Sequence, residues 1–147
     1  MQVSEVDKRI LNELQEDGKA SFREVAKKAK CSAVTAMKRI HNMEKEGIIR
    51  KYSAILDYEK LGFDVSVIVD VRVSKGKLFA VEKKIAAHPN VMLVYDNTGQ
   101  FDMTVVARFR TRAAMDSFLK LLQGYEFVER TETKLILNTM KEGGIKI

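Results

Sequence analysis

The stretch Ser21-Phe22-Arg23-Glu24-Val25-Ala26-Lys27-Lys28-Ala29-Lys30-Cys31-Ser32-Ala33-Val34-Thr35-Ala36-Met37-Lys38-Arg39-Ile40-His41-Asn42-Met43-Glu44-Lys45-Glu46-Gly47 organises the N-terminal half of the chain. Ser21 and Glu24 form a complete capping box, in which each side chain satisfies an orphan backbone N–H of the first helical turn. Behind it, Phe22, Val25, Ala26 and Ala29 fall at i, i+3, i+4 and i+7, the single apolar face of a short amphipathic helix. After a three-residue break Ser32 is placed to cap another helix, which runs to about Glu46 with Ala36, Ile40 and Met43 as its apolar line. Gly47 ends that helix by offering the left-handed conformation that positions just past a C-terminus favour.

Upstream, Ser4 and Asp7 give an S-x-x-D start signal, and Val6, Ile10 and Leu14 repeat at helical spacing, so residues 4–16 form a first helix that Asp17-Gly18 terminates. Two short helices joined by a tight turn, the second longer and basic on its outer face, make a helix-turn-helix. Such a unit lays the N-terminal turns of its last helix against base edges in the major groove while the preceding helix crosses the phosphates. Off its apolar line the last helix presents Ala33, Val34, Thr35, Lys38, His41 and Asn42. Lys38 suits guanine acceptors, Asn42 suits adenine, and Val34 or Thr35 suits a thymine methyl. The β-prone residues 48–56 read as a wing that sets Arg50 and Lys51 beside the recognition helix, where they grip phosphates without reading sequence. The DNA-facing set is therefore Ser21, Arg23, Ser32, Val34, Thr35, Lys38, Arg39, Asn42, Arg50 and Lys51.

Charge distribution agrees. The 147-residue chain carries a formal charge of +6, shared evenly between residues 1–60 and the remainder. Between positions 19 and 39, however, Lys19, Arg23, Lys27, Lys28, Lys30, Lys38 and Arg39 meet only the acid Glu24. A local concentration of this kind is the footprint of a polyanion partner. No long uncharged apolar run and no basic-then-apolar N-terminal segment is present, so neither a membrane span nor a signal peptide is expected and a cytoplasmic location is. The single cysteine, Cys31, allows no intramolecular disulfide and no multi-cysteine metal site, and reads as a small buried apolar residue.

The remaining residues change periodicity. Phe63, Val65, Val67, Val69, Val71 and Val73 alternate with more polar positions, the pattern of a half-buried antiparallel strand over 63–73. Leu78, Val81 and Ile85 mark a helix over 77–87 that His88-Pro89 ends. Val91, Leu93 and Tyr95 share one face of a second strand. Asn97-Thr98-Gly99-Gln100 is a turn, and Phe101, Met103, Val105, Ala107 and Phe109 form a third strand. Met115, Phe118, Leu119 and Leu122 make another helix and residues 127–137 a last strand. The order βαββαβ is ferredoxin-like. The fold expected is thus α+β: a winged helix-turn-helix over 1–60 followed by a βαββαβ domain over 61–147. An RNA-recognition module shares the strand order, but the third strand lacks the basic and paired aromatic residues that base stacking needs.

Asp7, Ile10-Leu11, Leu14, Gly18, Glu24-Val25-Ala26, Ser32, Thr35, Arg39-Ile40, Met43-Glu44 and Gly47-Ile48-Ile49 resemble the N-terminal pattern of the Lrp/AsnC family, the feast/famine regulators. Tyr52, Leu61-Gly62 and the turn over residues 99–102 extend the resemblance over nearly the whole chain. It implies a sequence-specific DNA-binding transcriptional regulator modulated by an amino acid or related metabolite. It also implies a homodimer paired through the sheet, with assembly to an octamer as the family's further step. The effector contacts implied are Thr98, Gly99, Gln100 and Asp102, with Thr131 and Thr133 supplied by a neighbouring subunit. A glycine turn exposes backbone N–H groups to a carboxylate, and Asp102 suits an ammonium. Two positions depart from the family. Lys30 stands where a turn glycine is usual, and Gln100 where an acid is frequent.

An enzyme reading finds no convergent constellation. His41 lies on the exposed side of the recognition helix and His88 at a helix end, where its protonated form suits the dipole. Neither has Cys, Asp or Glu at metal-ligand spacing, and no nucleophile motif or phosphate-binding glycine loop occurs. The expectation is a non-enzyme without cofactor, apart from an amino-acid effector. The competing function class is a metabolite-binding oligomer with only incidental DNA affinity.

Overall fold

The computed structural model of the chain describes residues 2–74 and 76–147. It divides into two compact units, one formed by residues through Ile55 together with Lys141–Ile147, the other by Leu56–Met140.

The first unit holds α1 (Glu5–Glu16), α2 (Phe22–Ala29) and α3 (Ala33–Lys45). The sequence places each start. Ser4 and Ser21 both close full capping boxes, with Asp7 and Glu24 respectively, and Ser32 caps α3 through the Thr35 N–H at 3.0 Å. One core joins the helices: Ile10 and Leu11 of α1, Val25, Ala26 and Ala29 of α2, and Ala36, Ile40 and Met43 of α3. Cys31 packs half-buried at its edge. Polar ties reinforce this core. Arg9 Nε donates to the Ala29 carbonyl at 2.9 Å, so a cation of α1 satisfies an orphan acceptor at the C-terminus of α2. Lys28 of α2 pairs with Glu13 of α1 at 2.9 Å.

The turn between α2 and α3 is made by Lys30 in the left-handed conformation, φ 56° and ψ 51°. Among the described residues it is the one non-glycine with positive φ. The Cys31 N–H returns to the Ala26 carbonyl at 3.0 Å, closing the end of α2. A lysine accepts the geometry that glycine would adopt without strain.

The expected wing differs. Residues 48–56 contain no strand. The N–H groups of Ile48 and Ile49 fold back onto the Met43 carbonyl at 2.9 and 3.1 Å, and the rest has no ladder partner among the described residues. A β-prone run without a neighbouring strand stays irregular, whatever its propensity. The Tyr52 hydroxyl nevertheless ties the segment to α3 by donating to Glu44 at 3.0 Å.

The domain boundary expected at residue 61 also moves, at both ends. Residues 56–60 belong to the second unit, where Tyr58 stacks edge-on against Phe63. The last seven residues return to the first unit because Asn12 of α1 makes a double hydrogen bond to the Ile147 backbone, both contacts at 2.9 Å, and Gln15 donates to the Ile145 carbonyl.

The second unit runs β1 (Val65–Val73), α4 (Leu78–Ala86), β2 (Val91–Asp96), β3 (Met103–Phe109), α5 (Arg112–Gln123) and β4 (Val128–Leu135). The antiparallel sheet has order β2-β3-β1-β4. Val67, Val69, Val71 and Val73 join Met103, Val105, Ala107 and Phe109 on one face, covered by Val81 and Ile85 of α4 and Phe118 and Leu122 of α5. One expectation fails on β2. A register shift between Val91 and Leu93 adds a residue, so Val91 and Val94 pack on the core while Leu93 and Tyr95 turn to the other face, 43% and 52% exposed. A bulge reverses the alternation beyond it, which strict period-two reading cannot register.

Replacing Lys30 by glycine relieves the left-handed strain and should stabilise the first unit by about 0.5–1 kcal/mol. A rise in urea midpoint at constant slope is the expected result, and an unchanged or lower midpoint would show the turn to be unstrained.

Candidate DNA interface and effector site

The expected DNA-facing residues are mostly free to meet a partner. Ser21, Arg23, Ser32, Val34, Lys38, Asn42, Arg50 and Lys51 are exposed, and Thr35 is half-buried. Their surroundings differ. The Ser21 hydroxyl accepts the Glu24 N–H, and the Glu24 carboxylate in turn accepts the Ser21 N–H at 2.7 Å. Hydrogen bonding to the Ser21 backbone, then to its side chain, holds the Glu24 carboxyl below its ordinary value. Ser32 and Thr35 share a hydroxyl contact at 2.8 Å at the start of α3. Both serines therefore fix helix N-termini whose remaining N–H groups point outward, an arrangement that attracts phosphate. Arg39 is different. Its Nη1 lies 3.5 Å from Asp7 Oδ2, a carboxylate buried completely in α1 and held by the Ser4 N–H and hydroxyl at 2.8 and 2.7 Å. Arg39 thus serves the interior as well as any partner.

His41 sits edge-on to the Phe22 ring with centroids 5.8 Å apart. At the margin of α3, burial and then the Glu44 hydrogen bond push the Tyr52 phenol up to about 12, so it remains a neutral donor at physiological pH.

In the second unit a recess of about 540 Å³ opens at the β2–β3 turn, lined by Asp70, Asp96, Asn97, Thr98, Gln100 and Phe101. Of the residues expected to hold an effector, Thr98 and Gln100 line it. Gly99 makes the turn at φ +112°, a conformation that excludes ordinary side chains. Asp102 is turned away. Its Oδ2 accepts the Val73 N–H at 2.7 Å, and its backbone closes the loop through Val71 and Asn97. Thr131 and Thr133 lie opposite Val71 and Val69 in the register, on the helix-covered side of the sheet, and Thr131 meets Gln123 of α5. One chain does not bring them to the recess.

Sequence reading missed Asp70, Asp96, Asn97 and Phe101. Asp70 was visible only as one of the polar positions that alternate with the valines of the first strand. On the sheet face away from the helices, its carboxylate accepts from the Thr104 hydroxyl and from Lys134 Nζ, each at 2.6 Å, while the Asn97 amide reaches the same Thr104 hydroxyl. Partial burial pushes the Asp70 carboxyl up, but the Lys134 and Thr104 hydrogen bonds outweigh it and hold it below its ordinary value. Arg72, on the same strand face, donates to the Gln100 carbonyl at 3.4 Å. The recess thus combines carboxylates with cations at its rim, the charge pattern that fits a zwitterion. Among the described residues no group of three metal-ligating side chains occurs. His88 Nδ1 accepts the Asn90 N–H, and its ring packs on Phe118.

The comparisons with known proteins follow the same division. Residues 3–44 match the AsnC-type helix-turn-helix domain, and residues 66–145 match the Lrp/AsnC ligand binding domain. The chain belongs to the Lrp/AsnC family. An HTH-type transcriptional regulator of Pyrococcus furiosus is 37% identical, with 97% of this chain and 96% of the relative covered. Among solved structures, E. coli AsnC superposes with a TM-score of 0.91 at 23% identity over the full length of both chains. A Neisseria meningitidis transcriptional regulator solved as a complex with L-Met has a TM-score of 0.89 at 23% identity, covering 97% of this chain and 94% of its own. These two likenesses are of fold. The Lrp/AsnC chain is a DNA-binding transcriptional regulator with a helix-turn-helix and a ligand-binding domain. In it, the recess at the β2–β3 turn falls within the region that matches the ligand-binding model.

Because the Asp70 pKa is depressed, the stability it lends is complete above its ordinary value of 3.8 and is lost as pH falls through the lower folded value. Urea unfolding of the parent chain should therefore show an acid-dependent loss that Asp70→Asn removes. Parallel profiles for the two proteins below pH 4 would show that the carboxylate contributes nothing.

Proposed function

We propose that this regulator reads duplex DNA with α3 in the major groove, that Lys38, Asn42, Val34 and Thr35 face bases, and that Arg23, Arg50 and Lys51 hold phosphates. Ser21 and Ser32 act through the helix N-termini they cap, and Arg39 lends its outer nitrogens. The observation that carries this reading is the exposed cationic surface around two capped helix N-termini, a surface that matches a polyanion.

Binding of an amino acid at the β2–β3 turn modulates that activity. The recess offers Asp70 to an ammonium and Arg72 at its rim to a carboxylate, and the fold neighbour from Neisseria was solved with L-Met. Gly99 shapes the turn, Asp102 braces it, and Thr131 and Thr133, on the helix-covered side of the sheet, join the site across the contact between dimers rather than through the sheet pairing. No other cofactor is required. The active species is a homodimer paired through the sheet face that carries Leu93, Tyr95, Ile68 and Val106, and dimers assemble further to an octamer. The protein acts by binding rather than catalysis. It works in the cytoplasm; no described helix is long and apolar enough to cross a membrane.

Two experiments test this reading. Lys38→Ala and Arg50→Ala should each weaken operator binding about tenfold without shifting the melting temperature, and unchanged affinity in both would reject the docking face. The parent dimer, neutralising roughly 6–10 phosphates, should lose about 10³–10⁵ in affinity between 50 and 200 mM salt. A shallow slope with no preference over competitor DNA would favour a metabolite-binding oligomer instead. For the effector, calorimetry with a panel of amino acids should show binding that Asp70→Asn weakens about tenfold. Equal heats from parent and variant would move the site elsewhere.

A further inference from the structure

The proposed DNA face is not uniformly polar. Phe22, the first residue of α2, is 40% exposed and Val34, in the first turn of α3, is 58% exposed. Together with Ala33 and Met37 they line a shallow recess of about 320 Å³, and its polar rim is Ser21 and Arg23. A surface selected only for phosphate contact has no use for a valine and a phenylalanine at its centre, and apolar side chains grouped at a functional face mark what that face must touch.

The surroundings restrict the occupant. Ser21 and Ser32 cap the two helices whose first turns supply Phe22 and Val34, so both positive helix ends border the recess. Arg23 lies at its rim and Lys38 one turn further along α3, both exposed. An apolar partner protein would have to desolvate these cations against nothing that neutralises them. The partner that fits is anionic at its edges and apolar at its centre. In the major groove B-DNA offers one apolar group, the 5-methyl of thymine, flanked by phosphates on both sides.

We infer that the recess formed by Phe22, Val34 and Met37 reads thymine through its 5-methyl group, and that each operator half-site carries a thymine beneath it. The inference rests on the docking of α3 proposed above. Val34 supplies the contact nearest the helix start. The Phe22 ring, braced edge-on by His41, forms the side wall, and Met37 forms a floor that its flexible thioether adapts to the methyl. Lys38 and Asn42 lie further along α3 and read polar base edges there. Specificity is thus divided along the helix, with a methyl reader at its start and hydrogen-bonding readers after it.

Uracil substitution isolates the methyl, because it deletes that group and leaves the pairing and the polar edge intact. Operators are first selected from random duplex with the full chain. Each thymine is then replaced singly by uracil. At one or two positions in each half-site the parent should lose about fourfold in affinity, the factor expected for one buried methyl group. Val34→Ser and Phe22→Ala should reduce that penalty toward one. Lys38→Ala should weaken thymine and uracil operators alike and leave the penalty in place. Circular dichroism melts confirm folding, and the exposure of Val34 makes its replacement the safer of the two.

No position with a uracil penalty above twofold, alongside a weakened Lys38→Ala, would overturn the methyl reading and leave the docking face standing. A Lys38→Ala variant of full affinity would overturn the docking itself, and this inference with it. A penalty that persists unchanged in both Val34→Ser and Phe22→Ala would place the methyl contact elsewhere. If Val34→Ser instead lowered the assembly mass and left the penalty intact, the recess would be a contact between copies of the chain, and the inference would fail.

Discussion

The recognition surface depends on the contact between α2 and α3, and that contact is made by alanine. Ala26 and Ala29 of α2 and Ala36 of α3 are buried in one core with Val25, Ile40 and Met43. Side chains of a single methyl let the helix backbones approach, and the larger residues around them fix the angle. A bulkier residue at Ala36 would push the start of α3 away from α2 and pull apart the two capped N-termini that face outward. The three-residue turn can bridge such a pair only with a sharp reversal, which is why Lys30 takes a left-handed conformation. Small residues, a tight turn and a strained φ are one constraint seen at three places.

Much of this was legible in the sequence, because the signals are local. A capping box specifies which residue starts a helix through hydrogen bonds only three residues apart, and Ser4, Ser21 and Ser32 sit where those rules place them. β1 and β3 also declared themselves, since a strand with one face on a core must alternate. What stayed hidden was non-local. The bulge in β2 is defined by its partner β3, and no period within Val91-Met92-Leu93-Val94-Tyr95 reveals it. Residues 48–56 have the composition of a strand but find no ladder among the described residues. The return of Ile145 and Ile147 to Asn12 and Gln15 spans more than a hundred residues, and two amides on α1 carry no sign of what they will bind.

The candidate effector site shows the same limit at the level of single side chains. Asp102 and Asp70 look alike in sequence, each a lone acid among β-prone residues. Their uses diverge because of where the sheet puts them. Asp102 meets an unpaired N–H at the end of β1, and one oxygen is committed to closing the hairpin. Asp70 emerges in mid-sheet between Thr104 and Glu132, within reach of Lys134, and faces the recess. The polar chain from Lys134 through Asp70 and Thr104 to Asn97 crosses three strands before it reaches the loop. It lies on the same sheet face as Ile68, Val106, Leu93 and Tyr95. The recess and the apolar face therefore share one side of the sheet, while the helices occupy the other.

Charge counting has its own boundary, and the N-terminal unit marks it. The run from Lys19 to Arg39 has seven cations against one acid, which reads as a surface for phosphate. The fold sets several of them to other work. Lys28 is paired with Glu13, Arg39 leans on the buried Asp7, and Lys30 carries the turn. Lys28 and Arg39 each tie their helix to α1, and Lys30 serves the turn through its backbone, so the charge of all three is at least partly accounted for without DNA. Arg23, at the edge of the apolar recess, and Lys38 are exposed members of that run that the interior does not engage. A sequence reports how much charge a surface has; only the packing separates the cations that build the surface from those that use it.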